Sequence, residues 1–422
     1  MSVDINDHGG QVAVSPSADA IPRVLAYEIE VGGHHPGYIQ NFAECWVDRQ
    51  IPAKLDFLVT PKFFELHANV VERLDEFSEN GIRILSLSED EYDAMMRVPK
   101  LRYIKGWKLY CEYAKRLQAD HGLLMYFDFF QVPTLLGPAS PCPFSGIYFR
   151  PTFHYKSFRN YVPSLKESIR AKRKEFVLRR VLKNRMFERL YCLDSFAVEH
   201  IKANFNTESQ IALIADSFAV YESSPERQAE LRTSLGIEPG RTVFCLLGVL
   251  DQRKGVKELL ECLHLVPDEV ANKCCLLLAG VVHPSQAEEI QTLLTKVQRD
   301  SPMQLILHNN YIRGDQVQHY YDMSDVIMAT YQRHMGSSSA LIRAALAQKP
   351  IFSSDYGLMG EIVLRRRLGV TVDTCSPKDM ASGFKPFIDN DPQSMFDHDE
   401  ALQYASENSP EQLAVDLSAL VS

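Results

Sequence analysis

Short apolar runs alternate with longer amphipathic stretches along the chain from Pro22 onward. In the first half, stretches such as Pro61–Asn80 and Glu89–Ala119 repeat their apolar positions at helical spacing, and the short runs between such stretches predict buried strands. Strands that alternate with helices in this way are typical of βαβ units and a parallel sheet. The predicted strands of this half are Val24–Ile29, Lys54–Thr60, Ile82–Leu87, Gly122–Phe129, Ser145–Phe149 and Glu188–Leu193.

The alternation starts again after a turn-rich interval that ends near Gly240. We therefore predict a disordered tail at 1–20, one doubly wound α/β domain at 21–215, a linker at 216–240, a second such domain at 241–390, and C-terminal helices at 391–422. In the second domain the predicted strands are Thr242–Leu250, Cys275–Val282, Gln304–His308, Val326–Tyr331, Pro350–Ser353 and Val370–Val372, and the predicted helices are Gly255–Leu265, Gln286–Asp300, Asp315–Tyr321 and Ser338–Ala347.

Composition narrows the class of protein. The 422 residues are 45% hydrophobic and 23% charged, which is ordinary for a globular chain and excludes general disorder. A formal net charge of −9 argues against a general nucleic-acid-binding protein, which would be basic. The longest apolar run, Cys274–Val282, is too short for a membrane helix, and the polar first 20 residues lack the features of a signal peptide, so we expect a cytoplasmic protein. The nine cysteines include no C-x-x-C pair, which predicts reduced thiols rather than disulfides or a zinc site.

Ligands of open parallel sheets bind beyond the carboxyl ends of the strands, so candidate site residues should follow the predicted strands. The first such turn, Glu30–Tyr38, contains Gly32 and Gly33, which allow a ligand to approach the backbone closely. The alternative interpretation is a plain tight turn. The adjacent His34 and His35 lack the Cys or carboxylate spacing of a metal site, and we predict no metal there.

Three turns of the second domain suit phosphate groups. Arg253 and Lys254 precede a predicted helix, where a cation is unfavourable unless an anion binds beside it. The segment His334–Ser339 opens a helix with Gly-Ser-Ser-Ser, and Asp355–Glu361 opens another, where Glu361 can accept hydrogen bonds from sugar hydroxyls. Simpler interpretations are a solvated charged turn, a serine helix cap and an acidic residue that favours the helix dipole. Together the three turns predict a site for a nucleoside diphosphate.

The order and spacing of these turns resemble the motifs of family 4 glycosyltransferases, which have the GT-B architecture of two Rossmann-like domains facing a central cleft. The family's G-R-L-x-x-x-K-G corresponds to GVLDQRKG at Gly248–Gly255, where Val249 replaces the arginine. Its T-D-x-G-G-x-x-E corresponds to SDYGLMGE at Ser354–Glu361. Its E-x7-E pair corresponds to Met335 and Arg343, so both glutamates are absent. The Gly32-Gly33 turn matches the family's Gly-rich loop, and the resemblance covers most of the chain.

The resemblance implies a hexosyltransferase that moves a sugar from a nucleotide-diphosphate sugar to an unidentified acceptor. The sequence does not identify the sugar or the base, and base rates alone make UDP-glucose the expected donor. It implies retention of anomeric configuration and no cofactor or obligatory metal, with the acceptor bound by the N-terminal domain and the donor by the C-terminal domain. The alternatives are a sugar-nucleotide epimerase or a phosphorylase on the same fold, or a sugar-nucleotide-binding protein that has lost catalysis along with its glutamates. The implied catalytic residues are His154 and Glu361; the donor-binding residues are Gly33, Arg253, Lys254, Gly336, Ser337, Ser338 and Glu361; and the acceptor side has His34, His35, Tyr38 and Asp128.

A separate feature is the basic segment Val162–Leu190, which has ten Lys or Arg and three Glu in an otherwise acidic chain. Its apolar residues recur at mostly helical spacing. One interpretation is a solvated helix that covers the N-terminal domain. The alternatives are a helix that attaches weakly to an anionic membrane surface and a binding site for an anionic acceptor. The sequence indicates no nucleic-acid partner and leaves the oligomeric state open.

Overall fold

The computed structural model describes residues 21–33, 35–217, 223–312 and 314–421, so the tail expected at 1–20 lies outside the described residues. Two all-parallel sheets organise the chain. The N-terminal sheet has seven strands in the order β3-β2-β1-β4-β5-β6-β7, and the C-terminal sheet has six in the order β10-β9-β8-β11-β12-β13. The strands are β1 (Arg23–Tyr27), β2 (Lys54–Val59), β3 (Ile82–Ser86), β4 (His121–Leu124), β5 (Phe144–Tyr148), β6 (Phe187–Cys192), β7 (Gln210–Leu213), β8 (Thr242–Leu247), β9 (Cys274–Ala279), β10 (Gln304–His308), β11 (Val326–Ala329), β12 (Ile351–Ser354) and β13 (Gly369–Val372).

Helices cover both faces of each sheet, as buried apolar strands in parallel sheets require. The predicted fold class, a GT-B arrangement of two doubly wound α/β domains, is confirmed by this topology. The helices of the first domain are α1 (His35–Asp48), α2 (Pro61–Leu66), α3 (Ala68–Asp75), α4 (Glu89–Met96), α5 (Arg102–Arg116), α6 (Pro133–Leu136), α7 (Leu165–Val181) and α8 (Ser195–Asn204). Those that follow are α9 (Pro225–Ser234), α10 (Val256–Cys262), α11 (Asp268–Ala271), α12 (Ala287–Asp300), α13 (Gly314–Met323), α14 (Ser339–Leu346), α15 (Gly357–Arg365), α16 (Pro377–Ser382), α17 (Pro386–Asp389), α18 (His398–Glu407) and α19 (Pro410–Ser418).

Some predicted elements are wrong in detail. The single helix predicted at Glu89–Ala119 is interrupted at Pro99, because proline disfavours helical backbone in the residue before it. The helix predicted at Pro61–Asn80 is divided at His67 into α2 and α3. The strand predicted at Gly122–Phe129 is too long, because β4 ends at Leu124. Asp128 therefore lies in a 3₁₀ turn at Phe127–Phe129 and not at the end of a strand.

The last two helices connect the domains. Helix α18 packs against α14 of the C-terminal domain, whereas α19 crosses back and packs against α1 of the N-terminal domain. The phenol of Tyr191 donates a hydrogen bond to the carbonyl oxygen of Asp416 on α19 at 2.9 Å. The segment 216–240, for which a linker is expected, contains α9, whose Arg232 bonds Asp325 at 2.9 Å.

A short 3₁₀ segment, Thr152–Ser157, follows β5 and joins the two domains at the cleft. Tyr155, Phe158 and Tyr161 are buried in the apolar core of the C-terminal domain, although the chain reaches them from the N-terminal sheet. No described helix combines the length and apolar character needed to cross a lipid bilayer.

Candidate functional site

The turn after β8 places a buried ammonium group at the carboxyl edge of the C-terminal sheet. Lys254 is only 6% exposed, and its Nζ donates a hydrogen bond to the carbonyl oxygen of Leu247. The carboxylate of Asp251 caps this turn by accepting from the backbone N–H of Lys254 at 3.0 Å. Gly255 follows with φ +70°, and a Cβ there would lie 2.5 Å from the carbonyl oxygen of Thr330, so only glycine fits.

The turn after β11 brings hydroxyl groups beside this lysine. The ring centroid of Tyr331 lies 5.2 Å from the Lys254 Nζ and 5.0 Å from the Arg253 guanidinium carbon. The Tyr331 hydroxyl is 2.9 Å from the Oγ of Ser338, and that oxygen accepts from the backbone N–H of Ala340 at the start of α14. The lysine, the arginine and the serine hydroxyl therefore surround one tyrosine.

The electrostatics of this turn favour an anion. Burial raises the pKa of Tyr331, but the charges of Lys254 and Arg253 and the Ser338 hydrogen bond bring it below its ordinary value. Among the described residues, Lys254 has no carboxylate in salt-bridge contact, and Arg253 has only Asp251 at 3.7 Å. A buried cation without a counter-charge is costly, and a bound phosphate would supply that charge.

His334 continues the same turn beside Gly336 and Ser337. Its Nε2 lies 3.3 Å from the carbonyl oxygen of Ser337. Burial lowers the pKa of His334, and the charges of Arg253 and of Arg150, from the N-terminal domain, lower it further. The imidazole therefore adds no positive charge at neutral pH, and Arg150 is close enough to act on it across the cleft.

Glu361 lies on α15, after β12, with only 5% of its surface exposed. Its Oε1 accepts from the backbone N–H of Arg159 at 2.5 Å, and its Oε2 accepts from Nε of Arg365 at 2.8 Å. Nearby, Asn160 donates to the Asp355 carboxylate at 2.8 Å. Oε1 of Glu361 thus holds the N-terminal domain to the C-terminal domain, whereas Oε2 bonds within α15. Contact of Glu361 with a donor sugar stays a prediction.

The acceptor side of the cleft begins at the turn after β1. Gly33 has φ +65°, and no atom lies within 4 Å of a Cβ built there, which leaves the backbone open to a ligand. The Nδ1 of His35 lies 2.7 Å from Oε2 of the buried Glu28. Burial lowers the pKa of His35, but the hydrogen bond and the charge of Glu28 outweigh this and raise it above 6.5. His34 lies outside the described residues.

Tyr38 and Asp128 have intramolecular partners. The Tyr38 hydroxyl donates to the Asp216 carboxylate at 2.7 Å, at the junction of the domains. The carboxylate of Asp128 accepts from the backbone N–H groups of Phe149 and Arg150 at 2.8 and 3.0 Å. Burial raises the pKa of Asp128 to about 6, although these two bonds favour its charged form. Asp128 therefore fixes the backbone from which Arg150 projects.

His154 is enclosed within the 3₁₀ segment. Its side chain is 1% exposed, its Nε2 lies 2.8 Å from Oδ2 of Asp194, and its ring packs against Tyr155 and Phe158. Asp194 uses its other oxygen to cap α8 by accepting from the N–H of Ala197. The position of His154 in the chain follows the prediction, but its polar atoms serve a buried pair, and a role at the transferred sugar stays a prediction.

The predicted residues Arg253, Lys254 and Ser338 lie together around Tyr331, and we call these four residues the cationic turn cluster. His334 lies beside Ser337 in the same turn. Sequence analysis missed Tyr331 and Arg150. Both come directly after strands, where candidate residues were expected, but an aromatic ring and a lone arginine carry no motif. Among the described residues no group of three His, Cys, Asp or Glu side chains has the proximity of metal ligands.

Comparison with known proteins supports the fold described above. Residues 227–410 match the family model described as glycosyl transferases group 1. Alr3699/HepE from Anabaena, solved in complex with UDP and glucose, superposes with a TM-score of 0.63 at 14% identity, covering 95% of this chain and 99% of that one. A glycosyltransferase from Rickettsia africae gives 0.64 at 11% identity, covering 95% and 99%. Sucrose-phosphate synthase from Thermosynechococcus elongatus gives 0.63 at 14% identity, covering 95% and 98%. No curated protein matches the sequence.

The solved structures share the fold, and the family match at residues 227–410 includes the cationic turn cluster. The chain is a glycosyltransferase enzyme with the two-domain GT-B architecture.

Proposed function

We propose that this glycosyltransferase transfers a sugar from a uridine diphosphate sugar, with UDP-glucose as the first candidate, to an acceptor hydroxyl. The complex of Alr3699/HepE with UDP and glucose supports the choice of donor. The observation that carries the proposal is the buried ammonium of Lys254, which has no carboxylate partner among the described residues and lies at the carboxyl edge of β8. A diphosphate at this position would neutralise it.

In the reaction we propose, the bond between the anomeric carbon and the diphosphate oxygen breaks, and a bond from that carbon to the acceptor oxygen forms. The acceptor hydroxyl gives its proton to the departing diphosphate oxygen. Negative charge builds on the leaving diphosphate, where Lys254, Arg253 and the hydroxyls of Ser337 and Ser338 stabilise it. Preorganised charge at a leaving group is commonly the largest single contribution to catalysis. We also propose retention of anomeric configuration, which the resemblance to family 4 implies.

The acceptor would enter from the Gly33 turn, where the backbone is open and His35 is held by Glu28. In this proposal two groups of the N-terminal domain face the donor, namely the backbone of the Gly33 turn and the side chain of Arg150.

Replacement of Lys254 tests the donor site. We expect Lys254→Met to weaken UDP binding about 100-fold, because a buried charge pair loses one partner. The same change should raise the free energy of unfolding of the ligand-free protein by roughly 1 kcal/mol, since an uncompensated buried charge is removed. Calorimetric titration with UDP measures the loss of affinity, and urea unfolding measures the gain in stability.

Lys257→Met is the matched control, because Lys257 is exposed on α10 and paired with Glu289 at 2.5 Å. It should leave UDP affinity unchanged. Equal affinities for UDP in Lys254→Met and the wild type would contradict the proposal.

Product analysis with UDP-glucose separates the alternative activities. A transferase releases UDP only with an acceptor or water, an epimerase yields a second UDP-sugar without release of UDP, and a phosphorylase needs inorganic phosphate. The anomeric configuration of the product, read by NMR, tests retention.

A further inference from the structure

Helix α7, within the basic segment, turns an apolar stripe toward solvent. Leu165, Ile169 and Phe176 are 81%, 63% and 59% exposed, whereas Leu178 and Val181 are fully buried. At 3.6 residues per turn the three exposed side chains fall within about 40° of one another, on the side opposite the buried pair. The apolar face that packs on the domain and the apolar stripe are thus two different faces.

Cations without salt-bridge partners among the described residues flank this stripe, and the guanidinium carbon of Arg180 lies 5.2 Å from the ring centroid of Phe176. Five exposed basic residues of α7 form no salt bridge with a described residue: Lys166, Arg170, Lys172, Arg173 and Arg180. A helix that served only as a solvated cover would place its leucine, isoleucine and phenylalanine inward and its charges outward. Here both kinds of side chain share the outer face, which is the pattern of helices that lie in a membrane interface.

More exposed apolar side chains lie at the neighbouring helix α6, which packs beside α7. Val132, Leu135 and Leu136 are 44%, 39% and 72% exposed, and Val162, just before α7, is 81% exposed. Single exposed apolar side chains are ordinary, whereas several on neighbouring elements mark an interaction surface. We call Val132, Leu135, Leu136, Val162 and the α7 stripe with its flanking cations the α6–α7 surface.

Aromatic rings connect this surface with the cleft. Phe129, which precedes α6, stacks on Tyr103 with ring centroids 4.4 Å apart and lies 5.0 Å from Tyr126. Tyr126 in turn lies 4.9 Å from the ring of His35 at the candidate acceptor entrance. These rings form an aromatic path from Phe129, next to α6, to the acceptor side.

We propose that the α6–α7 surface docks this protein on an anionic lipid bilayer, with its apolar side chains among the acyl chains and its cations among the headgroups. The complementary charge argues for this occupant, since the whole chain is acidic at −9 and this surface is basic. A polyanion such as nucleic acid would use the cations but gain nothing from leucine, isoleucine and phenylalanine at the centre of the surface. Resting on the proposed function, the acceptor is then a membrane-resident molecule with an apolar chain, presented to the cleft along the aromatic path.

Sedimentation of the full chain with vesicles tests the docking. We expect binding to phosphatidylcholine vesicles that contain phosphatidylglycerol, weaker binding as salt rises, and no binding to pure phosphatidylcholine. Arg173→Gln with Arg180→Gln should lower the partition coefficient about 30-fold, at roughly a factor of five per cation near the surface. Ile169→Gln with Phe176→Gln should lower it at least tenfold, because both side chains lose burial in the acyl region.

Matched controls use equally exposed positions elsewhere. Leu402→Gln with Val415→Gln removes two exposed apolar side chains, 56% and 64% exposed, and Lys202→Gln with Lys378→Gln removes two exposed cations. Both control pairs should bind vesicles like the wild type. Because every substituted position is exposed, the thermal unfolding midpoints of all variants should agree.

Three results would overturn the proposal. The wild type could remain in the supernatant with anionic vesicles at low salt, the control pairs could lose binding equally, or only the charge variants could lose it. The last result would identify the surface as a site for a polyanion or an acidic protein. UDP affinity is measured in parallel: its absence in the wild type contradicts the proposed donor, whatever the vesicles show, and its retention in the surface variants separates docking from donor binding.

Discussion

His154 and Asp194 form a hydrogen-bonded pair in which each side chain is only 1% exposed. Removal of one partner leaves the other buried without a counterpart, which costs far more than the pair itself contributes. We predict that His154→Ala lowers the free energy of unfolding by about 3 kcal/mol, measured by urea denaturation. Affinity for UDP should stay unchanged, because the pair lies in the N-terminal domain and the cationic turn cluster in the C-terminal domain.

A double-mutant cycle with Asp194→Ala isolates the interaction. The double variant should be less destabilised than the sum of the two single variants, because no unpaired charge remains. If His154 also contacts the transferred sugar, turnover per folded molecule falls while UDP affinity does not, the pattern of an interaction made in the transition state. Wild-type stability in His154→Ala would contradict the structural role.

Asp216 is a second acidic residue with an unusual environment, at the junction of the domains. Its carboxylate accepts from the Tyr38 hydroxyl, and its backbone N–H donates to the side chain of Asn408 at 3.2 Å. Burial raises its pKa to about 6, although the Tyr38 hydrogen bond and the charge of Arg343 favour the ionised form. Arg343 therefore acts on the domain junction, in a position where the resembling family has a glutamate.

The raised pKa of Asp216 predicts the pH dependence of stability. Between pH 4 and 6 the folded protein keeps a proton that the unfolded chain has released, so this carboxyl lowers stability progressively as pH rises through that window. Asp216→Asn should therefore raise the free energy of unfolding by roughly 2 kcal/mol at pH 7.5 and by much less near pH 4. Urea unfolding at several pH values measures this. A stabilisation that does not change with pH would contradict it.

For single residues, the sequence predicted local turn composition better than contacts with residues far along the chain. Lys254 and Ser338 belong to turns whose composition alone suggests an anion site, and the structure places them around one tyrosine. His154 has a partner 40 residues away along the chain, and Glu361 has one 202 residues away besides its local partner Arg365. No local pattern indicates such pairs, so both residues were expected to be open to a substrate.

Helix α15 and the segment after Thr152–Ser157 are connected through Glu361, and this connection is the clearest tie between elements of the two domains. Glu361→Gln keeps the shape but places an amide where two N–H donors point at oxygens. We predict a loss of about 2 kcal/mol in the free energy of unfolding, since one donor is left unsatisfied in a buried position. Arg365→Gln, which changes only the half-exposed partner, should cost less than 1 kcal/mol.

The donor-contact hypothesis for Glu361 predicts a different result. In that case Glu361→Gln would leave stability unchanged and weaken UDP-glucose binding more than UDP binding. Comparison of the two affinities by calorimetry, together with urea unfolding, decides between these roles.

Elements with strong local signals were predicted well. The apolar runs correctly predicted the strands of the two parallel sheets. Strands that are covered by helices on both faces consist mainly of apolar residues, so they stand out in the sequence. Strand β7 was missed, since it has four residues at the sheet edge and two of them are exposed. The return of α19 to α1 was also not predicted, because a helix's apolar stripe does not specify its partner.

For the whole molecule, the functional question is whether the two domains act on one ligand. The electropositive groups of the candidate site come from both domains, with Arg253 and Lys254 on one side and Arg150 on the other. The positive charge of Arg150 helps to lower the pKa of His334 across the cleft, and it opposes the larger effect of Glu28, which raises the pKa of His35. A diphosphate between them would hold the domains together, and Arg150 would supply a cation where Val249 replaces the arginine of the family motif.

Arg150→Ala tests this cooperation with little structural disturbance. Only backbone atoms of Arg150 make the hydrogen bonds with Asp128 and Lys174, so the substitution removes the guanidinium and leaves those bonds in place. We expect about a tenfold loss of UDP affinity by calorimetry, the effect of one charge-assisted contact, and a weaker salt dependence of binding. Lys202→Ala, an exposed cation on α8 of the same domain, should change the affinity less than twofold. If Arg150→Ala binds UDP as tightly as the wild type, the C-terminal domain holds the diphosphate alone, and closure of the cleft must depend on the sugar or the acceptor.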